Sequence, residues 1–313
     1  MRAASPLIRV GLLAYSGVTL SALYGLSDMI AKADDLAQAT GGARLAAVVL
    51  TPAEIAAAPF AALDAVVLPP SAVNGDPPAD AALLDWLRAQ HRAGAVVTSV
   101  CVGAFLLGRT GLLDGRRATT HWALGEQLAA LCPRARIETE RLLIDDGDIV
   151  TAAGLLAWVD LGLRLIERFL SPAIMLDVAR HFLADPRGRE QRFYSPFTPR
   201  LNHGDAAVLK AQHWLHGAFA ESVSVAEMAA QAGLSGRTFL RRFHSATGLK
   251  PNAYLQQLRV SKARELLELS RQPLTEVAWQ AGYEDPAAFR KVFQRTVGLS
   301  PGEYRRRFGI AAG

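Results

Sequence analysis

SVAEMAAQAGLSGRTFLRRFHSATGLKPNAYLQQLR, residues 224–259, and PLTEVAWQAGYEDPAAFRKVFQRTVGLSPGEYRRRF, residues 273–308, are one pattern written twice. Ala229 and Gly233 recur as Ala278 and Gly282 at an offset of 49. Phe239, Phe243, Gly248, Pro251 and Tyr254 recur as Phe289, Phe293, Gly298, Pro301 and Tyr304 at an offset of 50. One added residue around Glu284–Pro286 accounts for the change. Repetition in that detail marks a structural unit used twice, not shared composition.

Each copy spells a short helix, a glycine turn and a second helix. Ser224 followed by Glu227 is a capping box, with Val225, Met228 and Ala229 as the buried stripe. Gly233 ends that helix, Ser235 opens the next, and Phe239 and Phe243 lock inward one turn apart. Arg237, Thr238, Leu240, Arg241 and His244 are left at the outer face or its rim. In the second copy Thr275 is the expected cap, Val277 and Ala278 are buried, and Gly282 makes the turn. Asp285-Pro286 then starts a helix, proline being well placed where its missing N–H is not needed. Phe289 and Phe293 anchor it, which leaves Ala287, Arg290 and Lys291 outward and Arg295 beside them. Glu284 either caps that helix or faces a partner. Between the copies, Asn252–Leu269 reads as one long helix.

Charge says what the outward faces meet. Residues 201–313 hold 15 Lys/Arg against 9 Asp/Glu, whereas residues 1–200 hold 19 against 20, so the formal +5 of the chain belongs to the repeats. A basic excess on paired helices of this grammar predicts double-stranded DNA, with the N-terminal half of each second helix in a major groove. Arg237 and Arg241 are the expected base contacts and Arg242 a phosphate contact. Pro286, Ala287, Arg290, Lys291 and Arg295 form the second contact set, the alanines suiting thymine methyl groups. The long connecting helix would space the two readers about 34 Å apart, one turn of DNA.

The first two hundred residues alternate short apolar strands with helices. Leu7–Ala14, Ala43–Leu50, Ala65–Leu68 and Ala95–Val100 are strands; Leu20–Ala37, Asp80–Arg92 and Leu155–Phe169 are helices. Ile137–Ile144 and Asp148–Thr151 continue the layer, and Ala173–Phe182 adds a helix. Such alternation predicts a parallel sheet covered on both faces. A chain of 313 residues accommodates two domains of this kind. Only Cys101 and Cys132 are present, too few for a disulfide scaffold, and no spacing suits a metal; no cofactor is implied. No apolar run reads as a membrane span or leader, so a cytoplasmic protein is the expectation. DPRGREQRFYSPFTPRLNHG, residues 185–204, breaks helical pattern and reads as a linker, within which RGREQRFY is a segment able to dock.

The chemically suggestive place is SVCVGAF, residues 99–105. Cys101 stands where an apolar strand gives way to a glycine and a helix. It is either an exposed nucleophile near a helix N-terminus or a small buried residue closing a strand. Residues near strand ends, where open parallel sheets bind ligands, are Tyr15, Ser16, Ser71 and Asn74.

Residues 95–122, AVVTSVCVGAFLLGRTGLLDGRRATTHW, resemble the elbow segment of the ThiJ/PfpI branch of the class I glutamine amidotransferase-like domains. The resemblance continues through residues 146–168. The paired repeats, with Pro251–Tyr254 and Pro301–Tyr304 closing each, resemble the AraC/XylS DNA-binding domain. Together they are similar to GlxA-like regulators over nearly the whole chain. The resemblance implies that Cys101 is the elbow cysteine and His121 its later landmark, with Trp122 beside it. Departures bear on catalysis. Enzymatic relatives place histidine or threonine after the cysteine, here Val102. They supply a carboxylate from the first helix, where Ser21 stands; Asp28 lies two turns on. The usual Gly-Gly after the third strand is Pro69-Pro70, and proline offers no N–H to an oxyanion.

The expected fold class is therefore α/β, a flavodoxin-like parallel sheet sandwiched by helices, followed by an all-α domain with two helix-turn-helix motifs. The expected boundaries are a sensory and dimerising domain at 1–184, a linker at 185–204 and a DNA-binding domain at 205–310. The helix-turn-helix units fall at about 224–246 and 274–296. The function expected is a sequence-specific transcriptional regulator, a homodimer answering a small-molecule effector and able to contact RNA polymerase, with no catalytic residues. The alternative is a cysteine-dependent hydrolase, amidase or hydratase using Cys101 and His121, with DNA binding attached.

Overall fold

Valine- and leucine-rich stretches with no polar interruption make strands buried on both faces. The computed structural model describes residues 6–57, 62–71, 77, 79–186 and 189–310. It divides into one unit ending at Gln191 and a second beginning at Arg192. In the first unit a six-stranded sheet has the order β2–β1–β3–β4–β8–β7. Its strands are β1 (Leu7–Leu13), β2 (Arg44–Leu50), β3 (Ala65–Leu68), β4 (Val96–Val100), β7 (Leu143–Asp145) and β8 (Ile149–Ala152). A separate parallel pair joins β5 (Arg117–Ala118) to β6 (Arg136–Ile137). The main sheet is parallel from β2 to β8, and only the edge strand β7 runs antiparallel. The apolar stretch expected at 137–144 is thus two short strands in different sheets.

The helices are α1 (Leu20–Ala39), α2 (Pro52–Ala57), α3 (Ala81–Arg92), α4 (Gly103–Arg109), α5 (Gly125–Leu131), α6 (Trp158–Phe169) and α7 (Pro172–His181). Residues 155–157 form a 3-10 turn, so the helix expected from Leu155 begins at Trp158. Period-two alternation divides each strand between two cores. Ala65 and Val67 face Leu26, Met29 and Ile30 of α1 and the inner side of α6 and α7. Val66 and Leu68 face Leu83 and Leu87 of α3 and Leu106 and Leu107 of α4. The C-terminal ends of β3, β4 and β8 consequently open at one edge between these layers.

The second unit is helical: α8 (Ala206–Ala218), α9 (Val225–Gln231), α10 (Gly236–Thr247), α11 (Pro251–Leu269), α12 (Leu274–Gln280), α13 (Pro286–Val297) and α14 (Pro301–Phe308). Two cores follow the two copies. Phe239 and Phe243 pack with Met228, Ala229 and Tyr254; Phe289 and Phe293 pack with Val277, Ala278 and Tyr304. α11 contributes Tyr254 and Leu255 to the first and Val260, Ala263 and Leu267 to the second, which makes it the shared spine. In α8 the buried positions are Val208, Ala211, Gln212, Leu215 and Ala218, whereas Leu209 and Trp214 are half-buried and His213 is exposed.

Candidate sensor cleft and nucleic-acid interface

β4 ends at Val100, and Cys101 turns the chain with φ at +55°, a left-handed conformation that costs a non-glycine residue about 1 kcal/mol. Hydrogen bonds hold it there. Its N–H donates to the Ala152 carbonyl at 2.8 Å, and its carbonyl accepts from the Thr120 hydroxyl at 2.8 Å. Two residues on, a Cβ at Gly103 would lie 2.3 Å from the Leu68 carbonyl oxygen, so only glycine allows α4 to approach β3 this closely. The elbow is thus fixed by its neighbours. Its sulfur is not exposed, since Cys101 is 4 % accessible. Burial pushes the thiol up, against a partial offset from the Val102, Gly154 and His121 amides that face it. Of the two readings of Cys101, the small buried residue closing a strand is the one found.

His121 meets Cys101 through its backbone and not its ring. Its Nδ1 accepts from the Ala123 N–H at 3.2 Å, capping the turn at 122–124, and its ring lies 5.0 Å from that of Trp122. Burial holds its pKa below the usual histidine range. Tyr15 is buried and close enough to Cys101 for thiolate charge to raise its own pKa, although burial is the larger cause. Its hydroxyl donates to the Pro69 carbonyl at 2.5 Å. The Thr19 N–H donates to the Pro70 carbonyl at 2.8 Å and the Ser71 hydroxyl to the Gly17 carbonyl at 2.6 Å. The loops after β1 and β3 are therefore zipped together, with Pro69 and Pro70 accepting hydrogen bonds and donating none. Ser16 and Ser21 are exposed, Asp28 lies on the exposed side of α1, and Trp122 is half-buried. Asn74 lies outside the described residues.

Gln191 had not stood out in the sequence. It is 3 % exposed, and its carboxamide accepts from the Trp122 N–H at 2.6 Å while donating to the Thr120 carbonyl at 3.0 Å and the Thr139 carbonyl at 2.5 Å. Its only signal was a lone amide in a basic, aromatic stretch already expected to dock.

In the second unit α10 presents Arg237, Leu240, Arg241 and His244 to solvent, with Leu240 45 % exposed despite its apolar side chain. Thr238 is half-buried and accepts from the Ser235 hydroxyl at 3.0 Å. Arg242 is engaged: its Nε and Nη2 form a fork on the Asp205 carboxylate at 2.8 and 2.7 Å. A phosphate contact by Arg242 therefore requires exchange of that carboxylate. On α13, Ala287, Arg290, Lys291 and Arg295 are exposed, and Arg295 donates to Gln256 at 3.0 Å. Asp285 caps this helix through the Ala287 and Ala288 N–H groups, at 2.8 and 3.2 Å, and Pro286 is its first residue. Glu284 is exposed and is not the cap. Thr275 does not cap α12 either; it is the helix's second residue, because Pro273 already sets the extended backbone of the cap position. Trp279 on α12 is 68 % exposed.

A sheet domain with an elbow at its open edge, joined to paired helix-turn-helix units with basic outer faces, defines a two-domain DNA-binding protein. Residues 29–168 match the DJ-1/PfpI family and residues 228–307 a helix-turn-helix domain family. The chain is 28% identical over 227 residues to the HTH-type transcriptional regulator CdhR of Pseudomonas aeruginosa, spanning 72% of this chain and 67% of that one. It is 29% identical over 229 residues to the HTH-type transcriptional regulator GlxA of Rhizobium meliloti, spanning 71% and 69%. An isonitrile hydratase of Pseudomonas putida is 37% identical, but over 108 residues, 34% of this chain and 46% of the hydratase. The chain joins a DJ-1/PfpI domain to an AraC-type helix-turn-helix domain and is similar to HTH-type transcriptional regulators. It groups with regulators over most of its length and with the hydratase over a third.

Proposed function

We propose that this regulator reads DNA through α10 and α13 and takes its input in the cleft beside Cys101. The observation that carries the reading is the pair of phenylalanine-anchored helices whose outer faces hold Arg237, Arg241, Arg290 and Lys291, all exposed. Leu240 and Ala287 suit thymine methyl groups, and the arginines suit guanine edges. The two faces differ in sequence, so the two half-sites differ as well. The cleft residues Tyr15, Ser71, Cys101, His121 and Trp122 are proposed to line the effector site. Among the described residues, a buried thiol and an imidazole whose Nδ1 caps its own turn favour binding over turnover.

The test is equilibrium binding to the DNA upstream of the chain's own gene across a salt series. Arg241→Ala and Lys291→Ala should each weaken specific binding by roughly tenfold or more, about 1–3 kcal/mol per base contact. Unchanged affinity in both variants sinks the groove assignment.

A homodimer is part of the proposal. Leu20, Tyr24 and Leu156, 60, 60 and 62 % exposed, lie where the start of α1 meets the turn before α6; a Cβ at Gly25 would lie 2.4 Å from the Trp158 ring. Exposed apolar side chains grouped in this way suit a second copy. Light scattering should show a dimer for the native chain and a monomer for Tyr24→Glu with Leu156→Glu; a dimer in both places the interface elsewhere.

A further inference from the structure

The segment that leaves the sheet unit is held by polar pins at residues 189–191. Arg189 forks onto Asp160, donating from Nε and Nη2, and Glu190 accepts from Arg141 at 3.2 Å. Gln191 then inserts its carboxamide against the backbone of residues 120, 122 and 139. Pro186, Arg189 and Glu190 line an open cavity of about 190 Å³ together with Leu163 and Met175. The segment therefore borders this cavity, and the contacts that hold Arg189 and Glu190 are polar.

The backbone that Gln191 grips is the cleft's own wall. Thr120 donates its hydroxyl to the Cys101 carbonyl at 2.8 Å, and the His121 amide faces the Cys101 sulfur. The next residue along the chain already belongs to the second unit. There the carbonyls of Arg192 and Ser195 accept from the Arg264 guanidinium at 2.7 and 2.5 Å, and Arg264 is 8 % exposed.

We infer that Gln191 is a positioning residue that couples the cleft to the DNA-binding unit, a latch seated or released by the loop at residues 119–122. This rests on the cleft being the input site. Any group that enters beside Cys101 and displaces the Thr120–Trp122 backbone removes two of the three hydrogen bonds of the carboxamide. A buried amide left without partners leaves its pocket. The segment from 189 to 191 then follows, and the chain entering the second unit gains freedom.

Trypsin reads the latch without a ligand, because local opening governs cleavage after Arg189 and Arg192. In the full chain, Thr120→Val removes the tie between the loop and Cys101, and Gln191→Met removes the latch at nearly constant volume. Each should speed cleavage at these two sites by about tenfold, and the double variant no more than Gln191→Met alone. Circular dichroism melts establish that the variants fold. Operator affinity should shift in the same direction for both variants, whereas Arg241→Ala should weaken DNA binding with cleavage unchanged. An unaltered rate in Thr120→Val, or additive rates in the double variant, overturns the inference. Failure of the DNA-reading assignment would instead appear as full affinity in Arg241→Ala and leave the cleavage comparison intact.

Discussion

Cys101 carries the largest gap between what a residue type suggests and what its surroundings allow. A cysteine at a strand-to-helix elbow reads as a nucleophile or as a small buried residue; here the thiol is enclosed and its charged form disfavoured by burial. That outcome depends on groups from β8, the 119–122 loop and the turn after β1, none adjacent in sequence, so neighbouring residues could not announce it. Polar surface residues have gone the other way. Asp148 accepts from Arg116 at 2.5 and 3.1 Å and pairs with the His91 ring at 2.6 Å, which holds its carboxyl down to about 2. Arg116 is the larger cause. A carboxyl depressed in the folded state contributes stability above its unfolded pKa of about 3.9 that is lost as pH falls through the folded value. Urea midpoints should therefore decline between about pH 4 and pH 2, and decline less steeply in Asp148→Asn; parallel profiles would remove the pair from the acid response.

At the scale of elements, the repeats were legible because their chemistry is local. Capping, glycine turns and phenylalanines one turn apart require only a few residues to recognise, and α9, α10, α12 and α13 stand where that reading put them. Their one-residue difference lies between Gly282 and Pro286, as the change of offset required. The sheet was legible as alternation, but β7 was not seen as antiparallel, since strand direction is decided by partners. The two glycine turns look equivalent in sequence and differ in space. Gly233 has φ at +65° with nothing within 4 Å of an added Cβ. Gly282 has φ at +82°, and an added Cβ would lie 2.8 Å from the Ala220 Cα and 3.0 Å from its carbonyl oxygen. Gly233→Ala should cost about 1 kcal/mol, the left-handed penalty alone, and Gly282→Ala clearly more. Equal losses in chemical denaturation would show that the α8–α9 loop yields freely around Ala220.

For the whole molecule, the pattern breakers at 185–204 do not disclose the character of that stretch. Prolines and glycines reveal where helices stop; they do not reveal which carbonyls a distant arginine will claim. Past Gln191 the stretch is bound by the second unit at Arg192 and Ser195, at Phe197, whose ring packs edge-on to Tyr254 at 5.2 Å, and at Arg200, whose carbonyl accepts from Gln212 at 3.0 Å. Gly298 belongs to the same arrangement, because a Cβ there would lie 2.5 Å from the Arg192 side chain.

Arg264 turns that binding into a rule about where the protein can be cut. A fragment beginning at Asp205 carries both helix-turn-helix units yet strips a buried guanidinium of both carbonyls it holds, at a cost on the order of 3 kcal/mol. One beginning at Arg192 keeps them. Melting the two fragments side by side should show the longer one more stable by several degrees, with Arg264→Met narrowing the difference. Thirteen residues that look like slack are, on this account, the first piece of the reading head.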